Sequence, residues 1–237
     1  MRLLFLLCLA PVVARAAPTG LNQIPTTDLV PEKQLTLQLQ NGNTEVNGRS
    51  SLVHRPELVP QSELGLPWNL EAGLDVAPSD PPHDYRPEMN VKANPVREDY
   101  RVPAVAVGAT QLGVGFTPNY FLVLSKTLNY QQIQYQKFRA HHRNVKLRGI
   151  RLHAGLLRTS NAWRALAGTD IEVNDHFVVY ADWISGAQSA VSLGGVLVID
   201  RQNSVQVSLL RGNTADRVSG VLVGLTHTFD LTHPLEW

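Results

Sequence analysis

Four consecutive segments near the C-terminus repeat one pattern, with apolar residues at every second position and polar or very small residues between them. Val205, Val207 and Leu209 interleave with Gln206 and Ser208. In the next segment Val221, Val223, Leu225, Phe229 and Leu231 fall on one face, and Gly220, Gly224, Thr226, Thr228 and Asp230 on the other. Upstream, Val191, Leu193, Leu197 and Ile199 alternate with Ser192, Gly194 and Asp200. Before them Phe177, Val179, Ala181 and Trp183 alternate with His176, Tyr180 and Asp182. This is the period of a β-strand, whose successive side chains point to opposite faces. The connections are short and polar: Asn174-Asp175, 185–189, 201–204 and 211–217. Their Asn, Asp, Gly and Ser residues suit hairpin turns. Strands of about ten residues joined by tight turns describe an up-and-down meander, and that length suits a tilted membrane-spanning strand.

Further candidate strands fall at 34–40, 50–59, 69–77, 89–96, 103–112, 120–128, 145–157 and 163–173. Pro56 and Pro103 weaken two of them, because proline cannot donate to a sheet ladder. The total predicts an all-β fold, an antiparallel up-and-down transmembrane β-barrel of about 12 strands, with about 10 as the alternative count. No apolar stretch after residue 17 approaches helical membrane-spanning length. That does not argue against a barrel, whose alternating strands give a weak hydropathy signal.

The N-terminus has the make-up of a secretory signal peptide: Arg2, an apolar run from Leu3 to Val13, and Ala14-Arg15-Ala16 before Ala17. The run is too short for a spanning helix, which needs about 20 residues. The expected organisation is a signal peptide at 1–16, an extended segment at 17–33, the barrel at 34–231 and a tail at 232–237. Cys8 is the single cysteine. It lies within the apolar run and lacks the small residue that precedes a lipidated cysteine. The mature chain would therefore have no disulfide, thiol chemistry or cysteine-ligated metal. Without Arg2 and Arg15 the chain has 19 basic against 20 acidic residues, a formal charge of −1. Nothing in this balance suggests a nucleic-acid partner.

If the last strand descends into the periplasm, the turns at Asn174-Asp175 and 201–204 are periplasmic, and those at 185–189 and 211–217 external. Trp163 and Trp183 then mark the external rim, and Trp68, Phe177 and Phe229 the periplasmic rim, as aromatic girdles do. The competing reading is a soluble β-sandwich with these rings in its core.

Gly20-Leu21-Asn22-Gln23-Ile24-Pro25-Thr26-Thr27-Asp28-Leu29-Val30-Pro31, followed by Gln34-Leu35-Thr36-Leu37, resembles the N-terminal entry of YjbH-like and related uncharacterised outer-membrane barrel proteins. Val105 to Gly108 and Tyr120 to Lys126 are similar to their mid-barrel strands, and Tyr180-Ala181-Asp182-Trp183 to a strand end. Gly224, Leu225, His227 and Phe229 approximate the C-terminal assembly signal, with His227 where an aromatic is commoner and a tail to Trp237 beyond it. The resemblance implies residence in the outer membrane of a Gram-negative cell, with outer-membrane lipids and the barrel assembly machinery as partners. It also implies a role in polysaccharide export or envelope maintenance, with polysaccharide or envelope proteins as further partners.

No local pattern of nucleophile, base and orienting group marks an enzyme, so catalytic, cofactor and metal residues are all expected to be absent. His141 and His142 are adjacent, so in a strand they would face opposite sides. His153, His176 and His227 lie on separate strands and could converge only by folding. Gly113-Val114-Gly115 and Gly194-Gly195 lack the helix and lysine of a phosphate loop and fit small lumen-facing residues or a strand bend better. The one charge cluster with a shape is Lys137, Arg139, Arg143, Lys146, Arg148 and Arg151. It could attract anionic sugars, lipid headgroups or an acidic partner, or be a solvated turn with snorkelling strand ends. The expectation is a non-enzymatic barrel, a narrow pore or a structural or export component. The alternatives are an outer-membrane enzyme acting on lipid or glycan, and a soluble secreted ligand-binding β-protein.

Overall fold

A sheet edge exposes unpaired N–H and C=O groups, which hydrocarbon cannot satisfy, so a membrane-crossing sheet must close on itself. The chain does this. The computed structural model describes residues 20–21, 23–42, 58–79, 84–113, 117–128, 149–187, 189–214 and 219–232. Twelve strands run in sequence order around one closed barrel. They are β1 (Gln34–Gly42), β2 (Leu58–Leu66), β3 (Leu70–Ser79), β4 (Asp84–Val96), β5 (Ala104–Leu112) and β6 (Asn119–Thr127), then β7 (Ile150–Arg158), β8 (Trp163–Asn174), β9 (Phe177–Ile184), β10 (Ala190–Val198), β11 (Asn203–Gly212) and β12 (Ser219–Asp230). Every neighbouring pair is antiparallel, and β12 closes on β1 from Gln34↔Asp230 to Gly42↔Leu222.

The alternation has the polarity of a membrane barrel. Leu209 is 59% exposed while its neighbour Ser208 is 1% exposed, and Leu193 and Ser192 repeat the contrast at 56% and 1%. Leu37, Leu122, Leu156 and Leu225 extend the exposed apolar belt around the wall. A soluble sandwich would bury these residues and expose the serines, so that alternative is excluded. The aromatic rings fall at two levels. Trp68, Phe177 and Phe229 lie at the end where the chain enters β1 and leaves β12, and Trp163 and Trp183 at the opposite end.

The main departure from the sequence reading is the second strand, expected at 50–59 and found at Leu58–Leu66. Residues 50–57 lie outside the described part. Its inner face carries Gln61, Glu63 and Gly65, and its outer face is interrupted by Pro60 and Ser62, so hydropathy alternation is weak there. Pro60 sits opposite Leu39 within the ladder. Prolines also shape β4, where the register shifts between Ala93 and Val96, across Pro95. Pro103 lies just before β5 and takes no ladder position.

Candidate functional site

The lumen of this barrel is occupied by its own N-terminal segment. Residues 20–31 are not strand partners, so the polar groups of their backbone need other acceptors and donors. A tight turn forms first, with Leu21 N–H donating to Ile24 O at 3.1 Å and a bridge between Gly20 and Pro25. It carries Ile24, fully buried, into an apolar floor of Phe121, Val123 and Leu166, flanked by Leu21, Leu157 and Ile184. Gly168 on β8 makes this approach possible, since a Cβ there would lie 2.7 Å from Ile24 Cδ1 and 2.8 Å from Leu21 Cδ1. Where the segment reaches the barrel end and turns into β1, Gly65 plays the same part. A Cβ on it would meet Pro31 O at 2.0 Å, and its own carbonyl accepts from Lys33 N–H at 3.1 Å.

Wall side chains satisfy the segment along its length. Asp182 accepts from Gln23 N–H at 2.9 Å and from Gln23 Nε2 at 3.1 Å. Gln206 Nε2 donates to Leu21 O at 3.2 Å, and Asn94 Nδ2 to Thr27 O at 2.6 Å. Glu71 accepts from Val30 N–H at 2.7 Å. The Arg151 guanidinium forks onto both carboxylate oxygens of Asp28, at 2.5 and 2.6 Å. Such two-pronged arginine–carboxylate contacts fix geometry as well as charge. Beside the segment, at the mouth, a cavity of about 550 Å³ is lined by Asp28, Asn94, Glu98 and Arg151 among others.

Elsewhere the wall carries a polar network between patches of buried apolar residues such as Ala106, Leu210 and Leu222. Lys92 and Glu71 form a fully buried ion pair at 3.3 Å. Asn90 donates to Asp75, Gln61 Nε2 to Gln40 Oε1 at 3.1 Å, and Gln206 Nε2 to the Tyr180 hydroxyl at 2.6 Å. Ser192 Oγ donates to Asp182 at 2.5 Å.

Of the basic cluster, Lys137, Arg139, Arg143, Lys146 and Arg148 lie outside the described residues, as do His141 and His142. Arg151 faces the lumen and is engaged by Asp28 and Asp170, the latter through Nε at 3.0 Å. His176 lies in the β8–β9 turn with Nδ1 3.0 Å from Val198 O, and His227 packs edge-on against Phe229 on the outer wall. His153 has partners that local sequence could not show. Its Nδ1 lies 2.7 Å from Ser125 Oγ and its Nε2 2.5 Å from Asp170 Oδ1. The three sit on β6, β7 and β8, and only register brings them together, with Ser125 directly opposite His153. The arrangement has a hydrolase's residue types without a hydrolase's access. Ser125 and His153 are 1% and 3% exposed, and Asp170 is shared with Arg151. The contacts tie three neighbouring strands together.

No family model matches the sequence, and no curated protein does. Solved structures do. A KdgM porin superposes with a TM-score of 0.52 at 10% identity, covering 82% of this chain and 99% of the porin. A KdgM porin in complex with disordered oligogalacturonate gives 0.52 at 9% identity, with the same coverage. The translocator domain of the autotransporter NalP from Neisseria meningitidis also matches, at a TM-score of 0.38 and 9% identity. With its closed antiparallel wall, outward apolar belt and polar lumen, the chain has the twelve-stranded barrel fold of the KdgM porin.

Proposed function

We propose that this protein is a non-enzymatic outer-membrane barrel that works as a narrow pore for saccharide chains, with its N-terminal segment setting the aperture. One observation carries the reading: a single closed wall turns an apolar belt outward and many hydrogen-bonding groups inward, around a lumen that holds residues 23–31 through those groups. The KdgM structure with oligogalacturonate supports a saccharide as the transported class. The reading includes export by the N-terminal signal peptide, barrel assembly machinery as the insertion partner and outer-membrane lipids around the belt. It keeps the likeness of residues 20–31 to the entry of YjbH-like barrels, and Lys137, Arg139, Arg143, Lys146 and Arg148 as a candidate anion- or partner-binding cluster.

Separation of inner and outer membranes, with gel mobility compared before and after boiling, tests the location. Outer-membrane recovery, a mobility shift and stepwise conductance in planar bilayers are the expected results. A protein that stays soluble without detergent, or a folded barrel with no conductance, would overturn the pore.

A hydrolase reading has one observation in its favour, the Ser125–His153–Asp170 contacts. Ester hydrolysis by folded protein that disappears in Ser125→Ala would establish it. The burial of Ser125 predicts none.

A further inference from the structure

The wall holds residues 20–31 as a groove holds a bound chain. Side-chain carboxylates accept from the segment's amides, side-chain amides donate to its carbonyls, and an apolar floor takes Ile24. A transported chain must pass the same cross-section, so it has to displace the segment. The groups that then face the incoming chain are Asp182, Glu71, Asn94 and Gln206, with the floor of Phe121 and Val123. Carboxylates and amides suit hydroxyl groups, and an apolar floor suits the C–H face of a sugar ring.

Charge narrows the class of chain. Glu63, Glu71, Asp75, Glu88, Asp170 and Asp182 all lie on inner faces of the strands. Four of the described cations share those faces: Lys92, paired with Glu71; Arg151, which keeps Asp170 when Asp28 leaves; and the half-buried Arg86 and Arg164, fewer than the six acids. Among the described residues of the buried wall, acids therefore outnumber bases. A chain with a carboxylate on every ring would bring further negative charge against these carboxylates, and like charges repel.

We propose, building on the pore reading, that residues 20–31 and the transported chain occupy one seat in turn, and that this seat takes a linear, uncharged oligosaccharide in preference to a polyuronate. The test compares the full-length barrel with two variants. One lacks residues 20–31, and the other carries Ile24→Ala with Asp28→Ala, which loosens the segment and leaves the wall intact. Maltohexaose and hexagalacturonate are the probes, and the readouts are open-channel conductance and the concentration of each sugar that halves it.

Both variants should conduct severalfold more than the full-length barrel, and maltohexaose should block them at a concentration about tenfold lower than hexagalacturonate, or about 1.4 kcal/mol. The point variant answers the question if the deletion fails to fold. Equal or stronger block by hexagalacturonate overturns the substrate assignment alone. Unchanged conductance in a folded variant overturns the shared seat. Conductance absent from every form removes the pore reading itself.

Discussion

Replacing Lys92 by methionine isolates what the buried charge pair contributes. Lys92 Nζ lies 3.3 Å from Glu71 Oε1, both side chains are fully buried, and Glu63 and Asp28 add to the negative field at the ammonium. At 3.3 Å and an effective dielectric of about 20, two unit charges attract by about 5 kcal/mol. Breaking a buried pair from one side costs about 3–5 kcal/mol, because the remaining charge stays desolvated. Lys92→Met leaves Glu71 buried without this cation while Asp28 keeps Arg151, and a loss within that range is expected. Glu71→Gln should cost less, since Lys92 keeps Glu63 and Asp28 and the new amide oxygen can still accept from Val30 N–H. The double variant should recover to within about 1 kcal/mol of the Glu71→Gln protein, as removing both charges of a buried pair is often nearly neutral. Urea unfolding in phospholipid vesicles, followed by tryptophan fluorescence, measures all three. A Lys92→Met loss below about 1 kcal/mol, or a larger loss for Glu71→Gln than for Lys92→Met, would refute the reasoning.

The outer belt and a turn give two further predictions. Leu193 lies mid-strand on the outer face, so Leu193→Arg should lower barrel stability by about 2–4 kcal/mol and reduce the heat-modifiable folded fraction on gels, with a loss near zero arguing that this face does not meet lipid. In the β10–β11 turn, the side-chain amide of Asn203, with the backbone amides of Gln202 and Asn203, holds the Asp200 carboxyl below its ordinary value. A depressed folded pKa stabilises the turn above the unfolded value of about 3.9, and the gain is lost as pH falls through the lower folded value. Amide exchange at Gln202 and Asn203, corrected for intrinsic rates, should accelerate below that point in the native protein and show no such step in Asp200→Asn.

The barrel was legible wherever one face of a strand is uniformly apolar and the other small or polar. Strands β9 to β12 come nearest to that condition, and the expected pattern and the observed inner and outer faces coincide at Ser192/Leu193 and Ser208/Leu209. Strand β2 does not meet it, because Gln61 and Glu63 line the lumen and Pro60 and Ser62 interrupt the outer face, so the expected position fell too early. The site was harder to read for a topological reason. Asp182 and Gln23 are separated by 159 residues, and Arg151 and Asp28 by 123, so no local spacing can pair them. Two signals were nevertheless present. Leu21 and Ile24 are apolar in an otherwise turn-rich segment, and Asp182 occupies an inner-face position from which a carboxylate can accept from a chain inside the lumen. Taken together they ask for a lumenal ligand, which the chain supplies from its own N-terminus.

A barrel without disulfides gets its closure from the strand ladder, and here the ladder is complete without residues 20–31, since β1 joins both β12 and β2 directly. The segment therefore contributes to the lumen and not to closure. Its removal leaves Asp182 with Ser192 Oγ, Glu71 with Lys92, and Arg151 with Asp170, each with a wall partner that does not depend on the segment. What would be uncovered is neutral: the Asn94 and Gln206 amides that donate to the segment and the apolar floor around Phe121 and Val123. A wall whose charges stay paired when the chain inside it leaves can be emptied and refilled without unfolding, which a pore with an internal plug requires. If the segment were instead a structural core, its loss would strand those charges and the barrel would open with it.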